Sequence, residues 1–193
     1  MRRTRIHVDL PLAAGQDLPL PAPAVQHLVQ VLRLRPGDDF IVFNGNGRDY
    51  PAAILTAHRQ GVLIQIGEPG ESEPPLPLGV HLGIGITKGE RMDFSIQKAV
   101  ELGVAEVTPL FAGRVMVRLA GDRLANRQEH WQGILIAACE QSGRRRLPRL
   151  NPVQDLDTWV AQGHPCPLLL DHRAHRSLPS LAPPGPALTL LIG

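Results

Sequence analysis

Alternating apolar and polar positions in the first 67 residues predict short β-strands. Four segments have this spacing: RIHVDL (5–10), DFIVFNG (39–45), DYPAAILTA (49–57) and VLIQIG (62–67). The turn-rich NGNGR (44–48) lies between two of them, and Asn-Gly between apolar runs favours a hairpin. A helical face between the first two strands carries Val25, Leu28, Val29 and Leu32. This part of the chain therefore predicts a small β-barrel with one helix.

The second part of the chain alternates strand-like and helix-like segments. Its predicted strands are LGVHLGIGI (78–86), VAEVTPLF (104–111), PLLLD (167–171) and ALTLLIG (187–193), the last two as buried runs. Helical spacing predicts helices over 90–102 and 125–142, with Gly103 and Gly143 at their C-terminal ends. Thr87 and Glu90 have the spacing of a capping box. Alternation of this kind predicts βαβ units and a mostly parallel sheet.

A segment rich in Pro, Glu and Gly separates the two parts. GEPGESEPPLPLG (67–79) shows no hydrophobic periodicity, which is typical of an interdomain linker. We therefore predict a β-domain over 1–68, a linker over 69–77 and an α/β domain over 78–193.

Composition narrows the class of protein. Hydrophobic residues make up 43% and charged residues 20%, which is a globular composition. The basic N-terminus is followed by no apolar signal segment, and no run of apolar residues reaches the length of a membrane span. The two cysteines form no disulfide framework. These features predict a soluble, cytoplasmic protein.

Net charge is only +2, yet residues 112–150 hold eight Arg against three acidic residues, a local basic patch that suits nucleic acid.

Two motifs imitate known ligand sites. The glycines of GIGITKG, at 83, 85 and 89, lack the G-x-G-x-x-G spacing, so we expect Gly83 and Gly85 to allow close backbone approach instead of binding a dinucleotide.

Asp171, His172 and His175 imitate a metal cluster. No fourth ligand follows, so we predict no metal site but a strand-end loop near a pocket, because α/β sheets bind ligands at strand carboxyl ends.

The stretch ACEQSGRRRLPR (138–149) places four arginines within six residues after a helix-stopping glycine. Cations at a helix C-terminus complement the partial negative charge of the last carbonyls, and the same cluster also suits phosphate. Arg114 and Arg118 follow a predicted strand, where they form either an exposed edge or a second basic line.

Five segments taken in order resemble one family. They are VLRLRPGD (31–38), KGERMDFSIQKAVELGV (88–104), TPLFAGR (108–114), AACEQSGRRRLPRL (137–150) and LLIG (190–193). Together they resemble the bacterial ribosomal RNA small-subunit methyltransferase E family of the SPOUT superfamily. The resemblance implies an α/β protein with an N-terminal PUA-like β-barrel and a C-terminal SPOUT domain of the trefoil-knot type. It also implies a homodimer that uses S-adenosylmethionine to methylate N3 of a uridine in 16S rRNA of the small ribosomal subunit.

Residue roles follow from that reaction. We predict that Arg144 and Arg114 reach the target uracil or the rRNA, and that Glu140 is either a general base or a helix-surface residue. The predicted RNA contacts are Arg33, Arg48, Arg118, Arg145, Arg146 and Arg149. The predicted cofactor contacts are Leu170, Leu191, Ile192 and Gly193.

Members of the family continue after LLIG with a Pro-Glu-Gly-Gly stretch and several dozen further residues. Those residues form most of the cofactor pocket and the knot, so we expect the knot segment to lie outside these 193 residues.

Two alternative functions stay open. One is a SPOUT methyltransferase that acts on another base or on a ribose hydroxyl, and the other is a noncatalytic RNA-binding or ribosome-assembly protein.

Overall fold

Two separate sheets organise the chain in a computed structural model that describes residues 3–58, 61–87, 89–113, 120–171 and 173–193. Each sheet belongs to its own compact unit. The first unit is Met1–Pro74 with Cys139–Leu147, and the second is Pro75–Ala138 with Pro148–Gly193. The domain limits drawn from the sequence, 1–68 and 78–193 around a linker at 69–77, stay a prediction.

Five strands form the sheet of the first unit. They are β1 (Arg5–His7), β2 (Asp17–Pro19), β3 (Asp39–Phe43), β4 (Tyr50–His58) and β5 (Gly61–Ile66). Their order is β1-β3-β4-β5-β2, with β1 parallel to β3 and the other pairs antiparallel. The alternation along the strands buries one face, including Ile6, Phe40, Val42, Ile54 and Ile64. The predicted β-domain and its Asn-Gly turn are confirmed.

The helix of this unit differs from the predicted regular amphipathic helix. An α-helix, α1 (Ala22–Val25), continues as a π-helix over Gln26–Val31. Leu28 lies fully buried in that π-helix, and Arg33 just beyond it has a φ of 56°. Hydrophobic spacing identifies the buried face correctly, but it does not distinguish a π-turn from an α-turn.

The second unit contains a parallel sheet. Its strands are β6 (Gly79–Gly85), β7 (Glu106–Phe111), β8 (Arg149–Leu150), β9 (Gln154–Asp155), β10 (Pro167–Leu169) and β11 (Ala187–Ile192). The order is β10-β11-β6-β7-β8, β9 also pairs with β7, and every pairing is parallel. The predicted parallel α/β arrangement is confirmed, and the carboxyl ends of its strands share one edge.

Three α-helices accompany this sheet within the residues that the structure describes. They are α2 (Glu90–Glu101), α3 (Asp122–Ser142) and α4 (Leu156–Ala161), and a short 3₁₀ turn covers Leu178–Ser180. Helical spacing buries Met92, Ile96, Val100, Trp131 and Leu135. The last turn of α3, from Cys139 onward, belongs to the first unit. No helix in the described ranges is long and apolar enough to cross a membrane.

Some local predictions are wrong. The capping box at Thr87–Glu90 does not form, because Glu90 is the first helical residue and Gly89, with a φ of 66°, precedes it without a side-chain cap. PLLLD is not a buried strand: β10 lies at the end of the sheet, and Leu169 and Leu170 are 64% and 53% exposed. Strands β2, β8 and β9 were not predicted, since runs of two or three residues carry no readable periodicity.

Candidate functional site

A cavity of about 330 Å³ lies where β10 ends, at the carboxyl edge of the parallel sheet. Its lining consists of Leu168, Leu169, Leu170, Asp171, Ala174, Arg176, Leu178 and Leu181. An apolar lining with a few charged groups is typical of small-molecule sites, and the carboxyl edge is where open α/β sheets bind ligands. The predicted strand-end pocket is therefore present.

The four predicted cofactor residues meet at this edge. Leu170 lines the cavity, and its backbone N–H donates to the carbonyl of Leu191 at 3.1 Å. Ile192 is the register partner of Ile84 in the next strand. A Cβ on Gly85 would lie 3.3 Å from the Cα of Gly193, so the backbones of β6 and β11 approach closely at their ends.

Sequence reasoning missed the charged lining of the cavity. The sequence pattern does not indicate Arg176, and it places Asp171 in a strand-end loop near a pocket without indicating that its side chain lines the cavity. The backbone and side chain of Arg173 donate to the Asp171 carboxylate at 2.9–3.2 Å, and these hydrogen bonds lower the pKa of Asp171. His172 lies outside the described residues. Within the described ranges, no three His, Cys, Asp or Glu side chains are grouped for a metal ion.

The aromatic ring of Trp159, from α4, packs against the sheet close to this edge. A Cβ on Gly83 would lie 2.8 Å from Cζ2 of Trp159, so only glycine leaves room for the buried indole. The sequence predicts close backbone approach at Gly83; the position is indeed closely approached, but the approaching group is the side chain of Trp159.

A polar row crosses the same sheet nearer its amino ends. Consecutive register partners in four strands are Thr189, His81, Glu106 and Arg149. The Nε2 of His81 lies 2.7 Å from Oγ1 of Thr108, and burial lowers the pKa of His81. Arg149, predicted to contact RNA, donates to Glu106 at 2.6 Å, and its side chain is 68% exposed.

Glu140, the predicted acid–base residue, lies in the first unit and is half-buried. Its Oε1 accepts a hydrogen bond from the backbone N–H of His7 at 2.9 Å. Burial raises the pKa of Glu140, although this N–H and the nearby His27 and Arg5 oppose the shift. The carboxylate is therefore not an ordinary exposed helix-surface group.

Arg144 follows Glu140 by four residues in the same unit. Its backbone carbonyl accepts a hydrogen bond from Nη2 of Arg5 at 3.0 Å. Gly143 precedes it with a φ of 86°, a left-handed conformation that ends α3 and turns the chain. Two of the predicted catalytic residues, Glu140 and Arg144, are thus both held by strand β1.

Arg145 and Arg146 are engaged with acidic residues of the same unit. Their backbone N–H groups donate to Oε2 of Glu73 at 2.5 and 3.0 Å. The guanidinium of Arg145 donates to the carbonyl of Glu71 at 2.6 Å and lies 3.5 Å from Asp49. The Nε of Arg146 donates to the carbonyl of Glu73 at 3.0 Å. These contacts fasten the segment to the first unit, and phosphate binding by either arginine stays a prediction.

The remaining predicted RNA contacts are spread out. Arg33 is exposed at its left-handed position, and Arg48 is exposed and donates to the carbonyl of Gly70 at 3.0 Å. Arg114 and Arg118 lie outside the described residues.

Two family models match the chain. The model described as "RNA methyltransferase domain" matches residues 74–193, and that described as "RNA methyltransferase PUA domain" matches residues 20–67. These matches agree with the parallel sheet of the second unit and the β-sheet of the first. The predicted PUA-like and methyltransferase folds are therefore confirmed.

Individual relatives point the same way. Ribosomal RNA small subunit methyltransferase E of Buchnera aphidicola from Schizaphis graminum is 31% identical over 158 residues, which is 82% of this chain and 64% of the relative. The corresponding protein of Buchnera from Acyrthosiphon pisum is covered to 61%, so the chain spans less than two thirds of the length of these relatives.

Solved structures match over nearly the whole chain. A methyltransferase of Legionella pneumophila in complex with the bound cofactor SAM is 34% identical with a TM-score of 0.95, covering 100% of this chain and 80% of that one. Ribosomal RNA small subunit methyltransferase E of Neisseria gonorrhoeae, bound to S-adenosyl methionine, is 30% identical with a TM-score of 0.91, covering 98% and 79%. The chain therefore belongs to the RNA methyltransferase family that includes ribosomal RNA small subunit methyltransferase E.

Proposed function

We propose that this protein methylates N3 of a uridine in 16S rRNA of the small ribosomal subunit, with S-adenosylmethionine as the methyl donor. The observation that carries the proposal is the cavity at the carboxyl edge of the parallel sheet, in a chain that aligns throughout with a SAM-bound methyltransferase. The choice of uridine N3 rests on the resemblance of the sequence segments.

The lining of the cavity suits the proposed cofactor. Leucines, among them Leu168, Leu170 and Leu178, offer an apolar surface for an adenine ring, and Arg176 brings a cation suited to a carboxylate. Leu191 pairs with Leu169 and Ile192 pairs with Ile84 at the neighbouring strand ends, and Gly193 follows directly after β11. When bound, S-adenosylmethionine supplies an already activated methyl group, so positioning of the acceptor base accounts for much of the catalysis.

The acceptor atom of the proposed reaction, N3 of uracil, imposes two chemical requirements. N3 lies on the Watson–Crick edge of uracil and carries a proton, so the base must be unpaired and the proton must leave. We propose Glu140 as the general base, because its raised pKa brings it closer to the working pH than an ordinary carboxylate. Arg144 and Arg114 are proposed to stabilise the negative charge that develops on the uracil oxygens.

The remaining arginines of the prediction are proposed to contact the RNA backbone. Arg33 and Arg48 are exposed on the first unit, and Arg149 on the second. We further propose a homodimer and a cytoplasmic location, both from the resemblance and from the ribosomal substrate.

The test is methyl transfer from labelled S-adenosylmethionine to small subunits and to free 16S rRNA, using protein produced from its intact gene. Glu140→Gln keeps an acceptor for the His7 N–H, so it should retain the fold while losing roughly 10²–10⁴-fold in rate. Arg144→Ala should also reduce transfer. Absence of transfer by the wild-type protein to either substrate would overturn the proposal.

Cofactor binding is measured separately by calorimetry. Leu170→Ala should weaken S-adenosylmethionine binding, whereas Leu102→Ala, at a leucine that is 88% exposed and outside the cavity, should leave it unchanged. Equal affinities in the two variants would remove the cavity from the proposed site.

A further inference from the structure

Arg5 is a buried cation that joins strand β1 to the segment carrying Glu140 and Arg144. Its side chain is only 7% exposed, and its guanidinium lies 4.4 Å from the centre of the Phe43 ring. Nη1 donates to the carbonyl of Cys139 at 2.6 Å. Nη2 donates to the carbonyl of Arg144 at 3.0 Å and to the carboxylate of Asp49 at 2.7 Å.

The burial of this charge has a cost that these contacts offset. A buried cation is tolerated only when it is paired and hydrogen-bonded, and Asp49 supplies the opposite charge. Within the described residues the buried Nε of Arg5 has no hydrogen-bond partner. An unsatisfied buried donor is destabilising, so this Nε offsets part of what the other contacts of Arg5 contribute.

The acceptors of Arg5 identify what it holds. Cys139 contributes one of the last carbonyls of α3, and Arg144 contributes the carbonyl one residue after the left-handed Gly143. Two residues along the same strand, the backbone N–H of His7 donates to Glu140. One short strand therefore fixes the end of the helix, the turn after it and the proposed general base.

We propose that Arg5 is a positioning residue that sets the direction of Arg144 and the location of Glu140 in the active protein. It does not touch the substrate but acts through the backbone of the segment it binds. Its planar fork is what allows one side chain to bridge two carbonyls and a carboxylate at once. Lysine carries the same charge as a single ammonium group and cannot reproduce this arrangement.

The first measurement is hydrogen exchange, which does not depend on activity. In Arg5→Lys, amides of residues 139–147 should exchange faster, while those of the parallel sheet keep the wild-type rate. Arg123→Lys, an exposed arginine near the start of α3, is the matched control and should change neither region. Unchanged protection of 139–147 in Arg5→Lys would overturn the inference.

The second measurement is a double-mutant cycle in the methyl-transfer assay, which rests on the proposed function. Arg5→Lys should lower kcat/KM by roughly 10- to 100-fold, the loss that a displaced catalytic group causes. The same change added to Arg144→Ala should cost less than it costs alone, because one of the two groups that Arg5 positions is already gone while Glu140 remains. Additive losses would contradict positioning, whereas a wild-type protein without transfer would contradict the proposed function only.

Asp49→Asn provides a second variant should Arg5→Lys fail to fold. It leaves the Arg5 guanidinium in place and removes the negative charge that lies 2.7 Å from Arg5 and 3.5 Å from Arg145. We expect the same regional increase in exchange at 139–147, to a smaller extent. Wild-type exchange in this folded variant would also contradict the proposed positioning role of Arg5.

Discussion

A single glycine, Gly83, decides how closely the short helix α4 approaches the parallel sheet. The sequence indicates that this glycine permits close approach, since it lies within a strand and outside any dinucleotide motif. It does not indicate the partner, Trp159, which is 76 positions away and meets Gly83 only in the fold. Residue-scale prediction therefore identified the position but not its contact.

Replacement of Gly83 by alanine should destabilise the protein. The added Cβ would lie within 3 Å of the indole of Trp159, a rigid and buried group, so overpacking should cost about 1–3 kcal/mol. Gly133→Ala is the control, because its exposed position in α3 has no atom within 4 Å of the new Cβ and should gain about 0.5–1 kcal/mol. Urea denaturation measures both, and equal stabilities of the two variants would rule out the predicted clash.

The two cysteines should differ sharply in reactivity. Burial raises the pKa of the Cys139 thiol to about 11, against the smaller opposing effect of nearby Arg144 and Arg5, so at pH 8 roughly a thousandth of it is thiolate. Cys166 is exposed. Iodoacetamide at pH 8 should therefore modify Cys166 alone in the folded protein and both in urea, as mapped by mass spectrometry. Rapid modification of Cys139 in the native state would show that this helix end is open.

At the scale of elements, long periodic segments were predicted well and short or irregular ones were not. Helix α2 and strands β3 to β7 repeat their pattern over at least five residues, and all of them form. The π-helix and strands β2, β8 and β9 depend on tertiary partners, so no local pattern indicates them. Exposure of β10 follows from its place at the end of the sheet, which hydrophobicity alone does not reveal.

One residue of the polar row across the parallel sheet, His81, should make the stability of the protein depend on pH. Burial lowers the pKa of His81 from its ordinary value near 6.5; the carboxylate of Glu106 opposes this shift. Positive charge on His164 and on Arg149 lowers the pKa of His81 further. Because the folded state then holds the proton less tightly than the unfolded chain, stability should be fully present above about pH 6.5 and should fall as pH decreases below it.

His81→Asn removes that titration. Denaturant midpoints measured between pH 5 and pH 8 should fall with decreasing pH less steeply in this variant than in the wild type. His58→Asn, at an exposed histidine that ends β4, should keep the wild-type slope. Identical slopes in wild type and His81→Asn would show that His81 does not contribute to the acid sensitivity.

At the scale of the whole molecule, the chain order hides which residues act together. Residues 139–147 belong to the first unit, although the residues before and after them belong to the second. The partners of the arginine segment, Arg5, Asp49 and Glu73, are 70 or more positions away. The sequence identified the basic cluster, but it could not indicate that carboxylates of the same unit hold Arg145 and Arg146.

The contacts of residues 139–147 change what we expect of the individual arginines. Contacts within the first unit engage Arg145 and Arg146, and Glu140, Arg144 and Arg114 remain the residues proposed to act on the uracil. The cavity at the sheet edge is the proposed cofactor site. We propose that these residues together place one methyl group on N3 of one uridine in small-subunit rRNA.

Nucleoside mass spectrometry of 16S rRNA tests this claim most directly. RNA from a strain that lacks the gene is compared with RNA from the same strain carrying either the wild-type gene or the Glu140→Gln variant. We predict that 3-methyluridine is missing from the deletion strain, returns with the wild-type gene and does not return with Glu140→Gln. Undiminished 3-methyluridine in the deletion strain, or loss of a different modified nucleoside, would contradict the proposal.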